Sequence, residues 1–318
     1  MEPYKKEVIV DVPHRISGFF EIFDELNGNK LTDPIEIGSR GAGFNLSSVG
    51  KTKIQIEELG YEGDNEIEIF INDEKVDKKA DTTYYLYNNF KSHIIKPMKI
   101  RIFHNFDLPV GCGYGASGSG ALGAIYGLNH AFNLNLSNRE LGERAHIAEV
   151  INRTGLGTVC GQLRGGLCIL KEPGYPCVSE RIPIPKNLKV ICGSFGMIHT
   201  KSILTDPVLN RKIKEAGRKA QITLLNSRNI KSFMEASLQF VEDTEILNIL
   251  NLQELKKLIQ RLNNLRIIGA SMNQLGNSVY AVCNKEDEGK ITEILESYKP
   301  RIKIFNTSIN LNGPRILN

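Results

Sequence analysis

Apolar and polar residues alternate along much of the first hundred positions. In "EVIVDV", Val8, Val10 and Val12 share one face, which predicts a strand. "KIQIEEL" and "NEIEIFIND" alternate in the same way. "KPMKIRIFHNF" sets Met98, Ile100 and Ile102 opposite Lys99 and Arg101, the pattern of a half-buried strand. The period then changes. From Ser117 to about Phe132 apolar residues fall on most sides of a helix, so the helix is packed nearly all round. "LSNRELGERAHIAEVIN" predicts a second helix, with Ser137 and Glu140 at the spacing of a capping box. "RTGLGTVCGQLRGGLCILKEPG" reads as a glycine-punctuated turn, a short helix and a strand, and "LKVICGSFG" as a buried strand. Helical periods dominate from about Pro207 to Asn263. "SVYAVCN", a helix near 288–297 and "RIKIFNTSI" then give an α+β finish. The run "DEKVDKKAD" reads most simply as a solvated turn.

Composition bounds this picture without deciding it. A chain of 318 residues suits two domains of roughly 150 residues each, with a boundary expected near Pro183–Leu188. Hydrophobic residues at 41% allow a core, and a net charge of +4 suits an anionic ligand without calling for nucleic acid. No aromatic–basic interleaving marks a nucleic-acid groove. The N-terminus lacks a signal-peptide core, and no apolar run reaches the ~20 residues of a membrane span. The six cysteines form no CxxC and match no zinc spacing. Most lie among apolar neighbours, which predicts buried free thiols in a reducing cytoplasm.

The candidate chemistry lies in "PVGCGYGASGSGALGAIYGLN", Pro109 to Asn129, which has no acidic or basic side chain. Its glycines permit positive φ and a close backbone approach to a ligand. A helix starting directly afterwards presents unpaired N–H groups and the positive end of its dipole. Such a loop can hold phosphate through main-chain donors alone. The lysine-bearing pattern GxxxxGK[ST] is absent, and Gly113, Gly115 and Gly118 form only a GxGxxG, a weak signal. The competing reading is a close-packed helix whose small residues let backbones touch.

"PVGCGYGASGSGA" resembles the phosphate loop of the GHMP kinases, with Tyr114 and Ala116 in place of commoner residues and Ser117 retaining a hydroxyl. "VPHRISGFFEI", "GSRGAGFNL", "AHIAEVINRTGLGTV", "HTKSILTD" and "SMNQLGNSVYAV" resemble the archaeal pantoate kinases of that superfamily, in the same order, across residues 12 to 282. The resemblance implies an N-terminal α/β domain with a left-handed βαβ unit (1–185) and a ferredoxin-like C-terminal domain (186–318). It also implies transfer of the γ-phosphate of ATP to the 4-hydroxyl of pantoate, with Mg²⁺, in the cytoplasm and on the way to coenzyme A. A homodimer is compatible with it.

The implied site residues have bland alternatives. Pro109, Gly111, Gly113, Tyr114, Gly115, Ala116, Ser117, Gly118 and Ser119 would hold the nucleotide. Ser117 would also ligate Mg²⁺ or simply cap its helix, and Glu149 would supply the metal's carboxylate or face solvent. His14, Ser17, Arg40, Arg153, Thr200 and Asn277 would meet the acceptor, with Arg40 either pairing with its carboxylate or standing in an exposed turn. Lys201 would neutralise developing charge. His146 is read as structural. At Thr158 the pantoate kinases usually carry an aspartate that looks like the catalytic base. Threonine cannot accept the proton at neutral pH, and a positioned base contributes about 10²–10⁴ in rate. Three readings follow: transfer without a side-chain base, a different small hydroxy acid as substrate, or a weakly active homologue that binds ligand. Homoserine kinases also lack the aspartate, which favours the first.

Overall fold

The computed structural model describes residues 5–198 and 206–317. Two long strands carry the architecture. β1 (Lys5–Phe23) and β4 (Gly38–Glu58) pair antiparallel almost throughout, with register shifts between Pro13 and Arg15 and between Ser17 and Phe19. A small hairpin, β2 (Glu25–Leu26) and β3 (Asn29–Lys30), lies between them. The glycine-rich "GSRGAG" is therefore strand, and Arg40 projects from β4 rather than from a turn.

β4 pairs next with β7 (Met98–Phe106), and β7 runs parallel to β5 (Glu66–Ile71), which carries the short β6 (Glu74–Lys75) at its edge. Helix α1 (Asp81–Phe90) lies between the two parallel strands in sequence and completes a βαβ unit. β8 (Leu167–Leu170) adds to the other end of β4 and β9 (Ser179–Arg181) to β8. β14 (Arg315–Ile316) returns from the end of the chain to pair with β1.

Helix α2 (Ala116–Phe132) packs on this sheet. Its later glycines are there for contact: a Cβ on Gly123 would lie 2.1 Å from Thr52 Oγ1, and one on Gly127 2.6 Å from Ile54 Cδ1. Val8, Val10 and Val12 are buried against this layer with Ile54 and Ile100. Full burial of such a side chain contributes about 1.5–3 kcal/mol. Helix α3 (Asn138–Asn152) opens with the Ser137–Glu140 capping box, and α4 (Thr158–Arg164) follows it directly.

The second sheet has the order β11 (Gly269–Met272), β12 (Asn277–Cys283), β10 (Lys189–Gly196), β13 (Lys303–Ser308), all antiparallel. Helices α5 (Pro207–Asn226), α6 (Ile230–Thr244), α7 (Ile246–Ile249) and α8 (Gln253–Asn263) connect β10 to β11. Helix α9 (Glu288–Glu296) connects β12 to β13. The first and last strands are neighbours and the second lies at the edge, which is the ferredoxin-like order.

One expectation is overturned. Cys160 and Cys177 form a disulfide with their Cα atoms 5.4 Å apart; Cys112, Cys168, Cys192 and Cys283 are buried and free. The pair lies 17 residues apart and meets because Tyr175, just before Cys177, packs into the cluster around Cys160.

Candidate active site

The glycine loop joins β7 to α2 and is held from both sides. His14 is wholly buried; its Nδ1 lies 3.0 Å from the Tyr114 carbonyl, and its Nε2 3.4 Å from the Leu108 amide nitrogen. A carbonyl can only accept, and an amide N–H can only donate. The ring is therefore the neutral Nδ1–H tautomer, and burial pulls its pKa down to about 4. On the other side the β11–β12 turn presses on the loop. Ser278 Oγ donates to the Cys112 carbonyl at 2.7 Å, and a Cβ on Gly276 would lie 2.0 Å from that same oxygen. Between these supports Gly111, Gly113 and Gly115 have φ of 74°, 87° and 68°. These are left-handed conformations that a side chain would strain.

Gly115 is the N-cap of α2 and offers no side-chain acceptor to the first-turn N–H groups. Ser117 lies inside the helix, not at its cap. Its hydroxyl donates to the Thr154 carbonyl at 3.4 Å and lies close enough to Glu149 to hold that carboxyl's pKa down. Glu149 is 1% exposed. Its Oε1 accepts from Thr154 Oγ1 at 2.9 Å, while its Oε2 has no partner. Burial raises its pKa, and the nearby Ser117 hydroxyl and the Thr154 hydrogen bond partly offset the rise. Gly155 covers it so closely that a Cβ there would lie 2.1 Å from Oε2.

These elements border a cleft of ≈ 380 Å³. The loop side is Gly111, Gly113, Tyr114, Gly115, Ala116 and Ser117. The segment from Arg153 to Thr158 forms a second side. Ser17, Ser39 and Arg40 face them from the β1–β4 pair, and Phe19, Phe20, Leu156 and Leu170 supply apolar wall. Arg40 Nη2 is 2.8 Å from Glu21 Oε2; Glu21 is buried and is also reached by Arg218 at 3.3 Å. Two guanidinium groups share one carboxylate, so this wall keeps an excess of positive charge. Arg153 ends α3 in a left-handed conformation, is exposed, and has no carboxylate within ion-pair distance among the described residues. Thr158 is the first residue of α4, and its methyl group faces Gly115 and Gly118, where an added Cβ would meet Cγ2 at 2.8 and 3.0 Å.

Several expected contacts fall elsewhere. His14 does not line the cleft; it braces the loop from behind. Pro109, Gly118 and Ser119 also lie off the lining. Ser119 is buried and donates to the Pro13 carbonyl at 3.2 Å. Asn277 begins β12 opposite Gly196, and the β11–β12 turn instead presents Gln274 and Leu275. Glu149 is buried and is not among the residues that line the cleft. Thr200 and Lys201 lie outside the described residues. His146 is structural, as expected: it is buried, and its Nε2 is 3.0 Å from the Ile37 carbonyl. Sequence reasoning passed over Arg15, whose buried guanidinium donates to Asn45 Oδ1 at 3.2 Å and to Cys168 Sγ at 3.4 Å. Its position beside His14 in "PHRISGFF" was the available signal.

Residues 80–166 match the family model of the GHMP kinases N terminal domain. A pantoate kinase of Methanocaldococcus jannaschii is 30% identical over 286 residues, covering 90% of this chain and 96% of that one. The chain belongs to the pantoate kinases of the GHMP kinase superfamily. A second family member, from Thermococcus kodakarensis, is 30% identical over 291 residues, covering 89% of this chain and 90% of that one. A solved structure described as a phosphotransferase related to the CoA biosynthesis pathway superposes with a TM-score of 0.84 at 26% identity, covering 98% of each chain. A homoserine kinase from Cytophaga hutchinsonii, at 16% identity and a TM-score of 0.67 over 98% of this chain and 97% of that one, shares the fold. Family membership makes the cleft the place to look for nucleotide and acceptor together.

Proposed function

We propose that this chain transfers the γ-phosphoryl group of ATP to the 4-hydroxyl of pantoate in the cytoplasm. The observation that carries the reading is the single cleft shared by the uncapped start of α2 and the cationic, partly apolar wall around Arg40. The first feature suits a polyphosphate, through several N–H donors and the helix dipole. The second suits a small acid with a carboxylate and an alkyl body. Pantoate carries a carboxylate, two hydroxyls and a quaternary carbon bearing two methyl groups. Arg40 would pair with the carboxylate, with Arg153 adding positive charge at the cleft edge, and Phe19, Phe20 and Leu170 would pack against the methyl groups.

The site also suits Mg²⁺. Glu149 Oε2 is a buried carboxylate oxygen without a partner, beside the Ser117 hydroxyl. One carboxylate and one hydroxyl, completed by phosphate oxygens and water, is a set that this ion accepts. When bound, the ion neutralises phosphate charge. The chain's residues do the rest. The amides ahead of Ser117 hold the phosphates, and Arg40 orients the acceptor so that its 4-hydroxyl oxygen faces the γ-phosphorus. A new O–P bond forms there as the bond to the β–γ bridging oxygen breaks, and ADP leaves. Thr158 cannot take the hydroxyl proton, so it passes to a phosphoryl oxygen or to water. Phosphoryl transfer depends chiefly on alignment and charge stabilisation, and proceeds without a side-chain base.

The test is ADP release with ATP, Mg²⁺ and pantoate, measured against an ATP-only blank and against homoserine and mevalonate. Pantoate-dependent release is expected. Turnover with another hydroxy acid instead would keep the kinase and replace the acceptor. Binding without turnover of any acceptor would leave a ligand-binding homologue.

A further inference from the structure

Gln162 lies one turn after Thr158 on α4 and is fully buried. Its Nε2 is 2.9 Å from the Pro13 carbonyl, 3.0 Å from the Gly115 carbonyl and 2.8 Å from Ser119 Oγ. The amide can face only one way. Turned over, it would set its oxygen against two carbonyl oxygens. In the orientation it adopts, its own Oε1 is buried beside Gly118 and has no partner. An unpaired buried acceptor is costly, so the donor end must matter more than a fully satisfied side chain would.

The Gly115 carbonyl also accepts the first α2 hydrogen bond, from Ser119 N at 3.0 Å. Its direction is therefore set by two donors. Carbonyl and N–H point opposite ways across a planar trans peptide, so pinning the Gly115 oxygen aims the Ala116 N–H. His14 does the same one peptide earlier: with the Arg15 amide at 3.0 Å it holds the Tyr114 carbonyl, and so aims the Gly115 N–H. Gly115 and Ala116 both line the cleft. Two consecutive peptide planes are thus fixed from behind, at a glycine that has no side-chain rigidity of its own.

We propose that Gln162 is a positioning residue for nucleotide phosphates, acting through the Gly115–Ala116 peptide. The inference rests on the kinase reading of the cleft. It does not extend to the acceptor, which the Arg40 wall holds.

Two variants test it. Gln162→Met keeps length and removes the donor. Gln162→Glu keeps shape and sets a carboxylate against the two carbonyls, except where a proton restores one donor. Affinity for Mg²⁺ with a non-hydrolysable ATP analogue is measured by calorimetry at pH 6 and pH 8, beside the KM for pantoate and the thermal midpoint. Wild-type binding is the control: a wild-type chain that binds no analogue sinks the kinase reading itself. For Gln162→Met a roughly 10-fold weaker nucleotide affinity is expected at both pH values, with the pantoate KM within about twofold. For Gln162→Glu the loss should be larger at pH 8 and recover in part at pH 6. Wild-type nucleotide affinity in either variant would overturn the assignment. So would nucleotide and pantoate weakening together in step with the thermal midpoint, or failure of both variants to fold at either pH.

Discussion

The protein should lose stability between pH 7.5 and pH 5 because it buries neutral histidines, two of them with pKa values pulled far down. His14 braces the glycine loop, and His104 lies between the hydroxyls of Thr52 at 2.9 Å and Thr83 at 3.0 Å. Both are at most 1% exposed, and burial lowers each pKa from 6.5 to about 4. The unfolded chain therefore binds more protons than the folded chain across pH 4 to 6.5. Stability from these groups is full above pH 6.5 and falls as the pH drops towards 4. At pH 5 an unfolded histidine with pKa 6.5 has gained about 1.5 pH units of protonation free energy, and the folded one almost none. At 1.36 kcal/mol per unit each contributes a loss of about 2 kcal/mol, or about 4 kcal/mol together. His146, lowered by burial as well, acts in the same direction. Glu149, raised by burial, acts in the opposite direction, because its folded form takes up a proton more readily than its unfolded form. The carboxyl of Glu68, held down near 2 by its bond to Lys75, stays ionised throughout this range. Urea unfolding at pH 7.5 and 5.0, at fixed ionic strength, measures the difference. His14→Gln keeps a donor and an acceptor but does not titrate, so it should shrink the drop by about 2 kcal/mol. A drop under about 1 kcal/mol, or one that His14→Gln leaves intact, would refute the burial argument.

Three further outcomes are expected. Thr158→Asp sets a carboxylate at the first position of α4, where the helix dipole favours it by about 0.3–1 kcal/mol; steady-state turnover should rise about 10²–10⁴-fold, and an unchanged rate would show that transfer here gains nothing from a base. Arg40→Leu should raise the pantoate KM by about 10²-fold with little change in nucleotide affinity, following loss of a charge-assisted pair worth about 1.5–3 kcal/mol; equal losses for both ligands would remove Arg40 from the acceptor side. Cys160→Ser opens a loop of 17 residues' separation, so it should cost about 3 kcal/mol in denaturant unfolding. Dithiothreitol should destabilise the wild type by a similar amount and leave the variant unmoved.

Some of the site was legible in the residues because its cause is local. Gly113 and Gly115 at left-handed φ, a helix starting at once behind them, and the Ser137–Glu140 cap all follow from short-range sterics and hydrogen bonding. The alternating valines of β1 carry their burial in their own period. The family's motifs brought Ser117, Glu149, Arg40 and Thr158 into view. The amino-acid order does not say which groups meet across a hundred residues. His14 reads like a residue at a substrate site, and only the packing of β1 against the loop makes it a buried brace. Cys160 and Cys177 have an unremarkable spacing until α4 lies against the Tyr175 segment. Glu21 and Arg15 sit in a family block without a role of their own to read from it, and Gln162 lies in no motif. They become part of the site because the tertiary fold leaves each a buried polar group that must find a partner, and the partners lie on other elements. Local geometry is written in neighbouring residues; the satisfaction of buried charge and hydrogen bonds is decided only once the elements have packed.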